Sequence, residues 1–121
     1  MTITIFMPMP AKALSPNARV HWSKRHKARK AQRNHAKLLV RSELAPNHTP
    51  WKSGEVEILV FPPDRRRRDR DNYLASMKGI FDGAEDAGLI ENDCGFTYKP
   101  IQFDEPRKEN PGVEITFTQT R

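Results

Sequence analysis

Only one cysteine, Cys94, occurs in the 121 residues, and a single thiol excludes both an internal disulfide framework and a cysteine-rich zinc site. A reducing compartment is the natural setting for such a chain. Long apolar runs are also missing: nothing approaches the roughly 20 residues needed to span a membrane. Met1-Thr2-Ile3-Thr4-Ile5-Phe6 has neither a charged leader nor an extended apolar stretch, so it reads as a strand and not as a signal peptide. Together these absences predict a soluble, cytosolic protein with no membrane partner. Aromatic residues make up 8% of the chain, most of them at expected core positions. That leaves little for an RNA- or protein-binding adaptor, which would display aromatics on an open sheet.

Acidic residues are nearly absent from the first half. Residues 1–50 hold ten Lys/Arg and one acid, Glu43, whereas residues 51–121 hold eleven basic and fourteen acidic residues. The overall charge of +6 therefore conceals a local excess of nine positive charges in the first half, ten minus one. Such a segment repels itself unless a polyanion neutralises it. An anionic membrane would require bulky apolar residues opposite the basic face, and the segment offers mainly alanines. Nucleic acid is the polyanion that fits.

The length predicts one domain spanning 1–121, large enough for a small core. Hydrophobic content of 36% is low for its 30% of charged residues, which suggests that part of the core is completed by a second copy. Met1 to Met7 alternates as a strand does, and the prolines after it end the run. Ser15-Pro16-Asn17 is a turn. Between Ser23 and Leu44 there is neither proline nor glycine, so the spacing predicts a long helix with Ser23 as N-cap. Its thin apolar seam is expected at Ala28, Ala31, His35 and Leu38, opposite a broad basic face. Glu55 to Phe61 is the clearest strand, stopped by Pro62-Pro63. A second helix runs from Asp71 to about Ala87 on Leu74, Met77, Phe81 and Ala84, with Gly88 as its stop and Gly79 and Gly83 as irregularities within it. Two strand candidates follow, Thr97–Phe103, with Pro100 pointing to an edge or a bulge, and Val113–Thr118. The order β-α-β-α-β-β predicts a small α/β (α+β-like) domain with one mixed sheet and two main helices.

The most informative stretch is Asp64-Arg65-Arg66-Arg67-Arg68-Asp69-Arg70-Asp71-Asn72. A plain DNA-binding patch has no use for carboxylates that repel phosphate, and a plain acidic surface has no use for four consecutive arginines. A site that holds a divalent cation against a phosphodiester needs both. Asp69 and Asp71 fall at the positive end of the second helix, where carboxylates are favoured. Lys78 follows Asp71 by seven residues, about two turns, and so shares its face. Asp93, in the loop after that helix, is the third acid, although it could equally pair with a neighbouring arginine. Asp64 reads as such a pairing. Asp69, Asp71, Asp93 and Lys78 form a minimal set for Mg²⁺-dependent phosphodiester hydrolysis. Arg65, Arg66, Arg67, Arg68, Arg70 and Asn72, with Lys24, Lys27 and Lys30 of the first helix, are the candidate DNA contacts.

Residues 60–96 resemble the RusA family of Holliday-junction resolvases, phage-derived endonucleases. That family has an arginine-rich run leading into Asp-x-Asp-Asn, then a helical lysine, an Asp-x-x-x-x-Ala-Gly helix end and an acidic loop. Here these are Arg65–Arg68, Asp69-Arg70-Asp71-Asn72, Lys78, Asp82–Gly88 and Asn92-Asp93. The likeness extends more loosely to Ser15-Pro16-Asn17 and the basic helix. It implies a symmetric homodimer, Mg²⁺ or Mn²⁺ dependence, paired nicks across a four-way DNA junction, and a bacterial, prophage or phage origin. Two positions depart from the pattern: Ala75 stands where the family's lysine falls, with Lys78 one turn later, and Asn92 stands where the first of two loop aspartates often falls. Asn92 could still ligate a metal through its carbonyl oxygen.

Other residues read more plainly. His21 and His26 have a spacing seen in zinc fingers but no cysteine pair, so solvated or phosphate-contacting roles are expected. Trp22 could stack on an unpaired base, yet packing of the helix onto the sheet is the commoner use of a tryptophan and is the expectation here. Cys94 reads as a small apolar filler. Glu55, Glu57 and Glu114 are expected to point outward from their strands. The competing function is a non-catalytic basic DNA-binding module, such as a phage regulator, in which the acids would only shape the surface.

Overall fold

In the computed structural model, which describes residues 1–120, a five-stranded mixed sheet carries its helices on one face. The elements are β1 (Thr2–Pro8), α1 (Trp22–Glu43), β2 (Gly54–Phe61), α2 (Arg70–Ser76), α3 (Lys78–Asp86), β3 (Phe96–Tyr98), β4 (Gln102–Phe103) and β5 (Gly112–Gln119). The expected mixed α/β domain is therefore present. β5 lies centrally, antiparallel to β1 on one side and to β2 on the other. β2 in turn pairs in parallel with β3 and β4. Lys99, Pro100 and Ile101 separate those two short strands, which places the proline at the sheet's edge as expected, where its missing N–H leaves no ladder bond unmade.

Alternation decides which side chains enter the core. Ile3, Ile5 and Met7 of β1, Val56, Ile58 and Val60 of β2, and Val113, Ile115 and Phe117 of β5 all face the helices and are buried. Thr2, Thr4 and Glu57 fall on the opposite face and are exposed. There Lys99 bridges Glu55 at 3.3 Å and Glu57 at 2.8 Å.

The first helix differs from expectation at two points. His21, not Ser23, is its N-cap: His21 Nδ1 accepts the Ser23 amide at 3.2 Å and lies 2.7 Å from the Ser23 hydroxyl. The seam is also rotated. Ala36 and Val40 are fully buried, with Ala28 and Gln32 half-buried in line with them, while Ala31, His35 and Leu38 are exposed, Leu38 at 65%. Apolar residues occur on both faces of α1, so the sequence pattern alone does not select the buried one. The partner helix selects it. A Cβ on Gly79 would sit 2.6 Å from Gln32 Oε1 and 3.2 Å from the Arg29 carbonyl, and a Cβ on Gly83 would overlap the Arg33 carbonyl. The two glycines thus let α3 press against the Arg29–Lys37 stretch of α1 backbone to backbone. They are packing devices and not irregularities.

The irregularity falls elsewhere. The expected second helix breaks at Met77 (φ −105°, ψ 6°), whose amide bonds back three residues to Leu74 in a tightened turn. At the far end, Gly88 adopts φ +88°. The Gly88 amide donates to Glu85 and the Leu89 amide to Ala84, the paired bonds of a Schellman stop.

Candidate functional site

The arginine loop is built partly to hold itself. Asp64 Oδ1 accepts the Arg66 amide at 2.9 Å and the Arg68 guanidinium at 2.8 Å. These hydrogen bonds, the backbone one first, hold the Asp64 carboxyl below the usual range. The pairing read for Asp64 from sequence is present. Arg68 also donates to the carbonyls of Asp64 and Arg66, so its side chain is largely covered and shapes the turn. Arg70 donates to the Ile101 carbonyl at 3.0 Å and lies over the Phe103 ring, tying α2 to the edge of the sheet. Arg65 pairs with Glu105 at 2.7 Å on the surface, Arg66 has its second contact to Asp64 at 3.5 Å, and Arg67 is exposed. The guanidiniums of this loop that make no backbone hydrogen bond are those of Arg65, Arg66 and Arg67.

The two neighbouring aspartates part company. Asp69 is the N-cap of α2: its Oδ1 accepts the Asp71 amide at 2.8 Å and the Asn72 amide at 3.4 Å. It borders a depression shared with Lys12, Ser15, Arg68, Asn72 and Tyr73. Asp71 points into a different groove, of about 360 Å³, lined by Leu74, Ala75, Lys78, Phe81 and Tyr98. Asp71 and Lys78 thus share a face, as their spacing predicts, in spite of the break at Met77.

Beside that groove lies an acid that the sequence reading left unassigned. Asp82 follows Lys78 by one helical turn. Burial first, and then the neighbouring Asp93 carboxyl, push the Asp82 carboxyl above the usual range against the pull of Lys78. Burial and the same two aspartates push the Tyr98 phenol up to about 12. Asp82, Asp93 and Tyr98 are therefore close neighbours, and Tyr98 links them to Asp71 and Lys78 across the groove. The signal was present in the sequence as Lys78-x-x-x-Asp82, an i,i+4 pair on the face already assigned to chemistry.

The Asp93 loop is clamped from three sides. Glu85 Oε1 accepts the Asp93 amide at 2.7 Å. Trp51, 2% exposed, receives the Glu91 amide on its carbonyl and donates its own amide to Leu89, both at 2.8 Å. Gly95 lets the loop meet the Lys52 carbonyl, which a Cβ would approach to 2.6 Å. Asn92 does not face the groove with a free carbonyl, because its side-chain oxygen accepts the Cys94 amide at 2.9 Å. Cys94 itself is exposed, not a core filler.

Asp69, Asp71 and Asp93 do not converge: among the described residues, no three His, Cys, Asp or Glu side chains gather as a group that could hold a metal ion. What the fold brings together instead is Asp71, Lys78 and Tyr98 around a groove, with the Asp82–Asp93 pair beside it.

No family model matches the chain. A Xylella fastidiosa (strain Temecula1) protein, named only as an uncharacterized protein, is 38% identical over 117 residues, covering 95% of this chain and 75% of its own length. The chain belongs to that protein's family. The match runs through the arginine loop, both halves of the broken helix and the Asp93 loop, since it leaves only a few residues of this chain outside it. Among the described residues no helix is long and apolar enough to cross a membrane.

Proposed function

We propose that the chain is a divalent-cation-dependent endodeoxyribonuclease of the RusA type, a homodimer that resolves four-way DNA junctions by paired nicks. The observation that carries this reading is the groove with Asp71 and Lys78 on its wall, directly after an arginine-lined loop and with Asp82 and Asp93 close by. Two neighbouring carboxyls repel each other unless a proton or a cation lies between them. Mg²⁺ commonly takes only one or two protein carboxylates and completes its shell with substrate phosphate and water. Asp71 on the groove wall, or Asp82 and Asp93 beside it, would supply those one or two carboxylates, and Asp69 fixes the start of the helix that presents Asp71. When bound, such an ion supplies neutralisation of phosphate charge and a water acidified toward attack.

The remaining roles belong to the chain itself. Lys78 offers a positive charge on the groove wall to a phosphoryl oxygen as charge develops on it. Arg65, Arg66 and Arg67 grip the backbone on the approach to the groove, and Lys24, Lys27 and Lys30 extend the grip along α1. Glu85 and Trp51 hold the Asp93 loop so that its carboxylate is in place before DNA arrives.

One observation favours the rival reading of a non-catalytic DNA-binding module: Asp64 and Asp69 are both engaged in backbone capping, which is what acids that only shape a surface would do. Incubation with a synthetic four-way junction and Mg²⁺, with and without EDTA and beside a linear duplex, separates the two. Paired nicks in the junction that EDTA abolishes support the nuclease; binding without cleavage in Mg²⁺ and in Mn²⁺ supports the module.

A further inference from the structure

Trp22 is 73% exposed, the most exposed of the large apolar side chains, while the other tryptophan, Trp51, is buried. The expectation that Trp22 anchors α1 to the sheet is thus overturned. An indole left in water needs another reason for its place, and its surroundings supply one. His21 caps the helix through Ser23, and its fixed ring lies 5.5 Å from the Trp22 ring, which limits the indole's freedom on that side. Arg19, Lys24, Arg25 and Lys27 surround it in sequence, and no acid occurs before Glu43. A flat apolar face within an all-cationic segment complements a ligand that is itself flat, apolar on its faces and anionic along its backbone. That description fits a nucleobase on its phosphate chain.

The position on the molecule agrees. α1 and α3 run in the same direction, since Gly79 abuts Arg29 and Gly83 abuts Arg33. The first two turns of α1 therefore project past the start of α3, toward α2. Trp22 lies seven residues before Arg29, roughly 10 Å further along the axis. Arg25 donates to the Ala18 carbonyl at 2.7 Å and to the Ser15 carbonyl at 3.4 Å, folding the preceding turn against this end of the helix. Ser15 in turn borders the depression lined by Arg68, Asp69 and Asn72. The tip of α1 and the arginine loop thus flank one continuous surface.

We infer that Trp22 is a stacking platform for an unpaired or unstacked base, and so selects branched or single-stranded DNA over continuous duplex; this rests on the nucleic-acid reading above but not on catalysis. In a four-way junction the base pairs at the crossover can open, whereas in a linear duplex interior bases present no face.

The test uses tryptophan emission of the full chain in EDTA, so that nothing is cut. Titration with a four-way junction or a single-stranded oligonucleotide is expected to quench the solvent-exposed Trp22 emission, and linear duplex of the same length is expected to leave it unchanged. Trp22→Ala should weaken junction and single-strand binding by about tenfold, the loss expected for one base–aromatic stack, with duplex affinity unaltered. Trp22→Phe, which keeps a ring face, should restore most of that affinity while the quenching disappears. Thermal unfolding of both variants should match wild type because the side chain packs against little. The inference is overturned if the junction binds without quenching and Trp22→Ala binds it as tightly as wild type, an outcome that leaves the nucleic-acid reading standing. Failure of wild type to bind any of the three DNAs would instead refute that underlying reading.

Discussion

Replacing Asp71 by Asn keeps the side chain's size and removes its charge from the groove while leaving the arginine loop and α1 untouched. Asp71→Asn should therefore lower single-turnover junction cleavage by roughly a hundredfold or more and change junction affinity only a few-fold. Cleavage near the wild-type rate would remove Asp71 from the site. On the proposed reading Lys78→Ala should show the same split, because its charge would matter most as the phosphate gains charge in the transition state. Weakened binding with intact cleavage at saturation would count against that role. Asp69 belongs to a different class. As the N-cap of α2 it stabilises the helix that presents Asp71, so Asp69→Ala should cost about 1 kcal/mol of stability, read as a shift in the urea midpoint, whether or not DNA is present. An unchanged midpoint would mean that the cap geometry contributes nothing.

The α1–α3 contact is the clearest case of an element set by its smallest residues. A methyl group at Gly83 has no room against the Arg33 carbonyl. Gly83→Ala should destabilise the fold by ~1–3 kcal/mol, in contrast to the gain that glycine-to-alanine brings in an open helix. The same contact includes the ion pair of Arg33 and Asp86, with its second hydrogen bond at 2.8 Å. The hydrogen bond from Arg33 holds the Asp86 carboxyl below its usual range. Its stabilisation is therefore present above the unfolded carboxylate value near ~3.9 and lost as pH falls through the lowered folded value. Asp86→Asn should cost on the order of 1 kcal/mol at pH 7 in urea unfolding, the pair being partly exposed, and less near pH 3. An equal deficit at both pH values would show that charge is not what the pair supplies.

At this scale the sequence was legible where the pattern was strong and silent where packing chose. The strands around Ile3, Ile58 and Ile115 alternate cleanly, and their buried sets are as expected. α1 has apolar residues on two faces, so only the glycines opposite it decide that Ala36 and Val40 go in and Leu38 stays out. The break falls at Met77, two residues before the glycine at which the sequence placed an irregularity. In the candidate site, Asp71 and Lys78 were placed together by helical spacing alone. Asp82 was legible only as the start of the Asp82–Gly88 helix end, because its closeness to Asp93 depends on the loop's return, which no spacing rule reveals.

For the whole molecule, the charge asymmetry is the main determinant of how DNA would be held. If the cationic face of α1 contacts phosphates, affinity must fall steeply with salt through counterion release. Lys27→Ala with Lys30→Ala should flatten the slope of log affinity against log salt by up to about two units, ~0.9 per contact, equally for junctions and duplexes. An unchanged slope would place the phosphate path elsewhere. Symmetric cleavage of two strands needs two grooves, so the active species should have twice the 14.0 kDa mass of one chain in light scattering. A cleaving monomer would contradict that arrangement. The most direct test of the site is strand cleavage of a four-way junction in Mg²⁺ by wild type and by Asp71→Asn and Asp93→Asn, each at saturating protein. The account predicts paired, EDTA-sensitive nicks by wild type alone, with both variants still binding the junction; no nicking by a wild-type protein that binds the junction in Mg²⁺ and Mn²⁺, or equal nicking by all three, would contradict it.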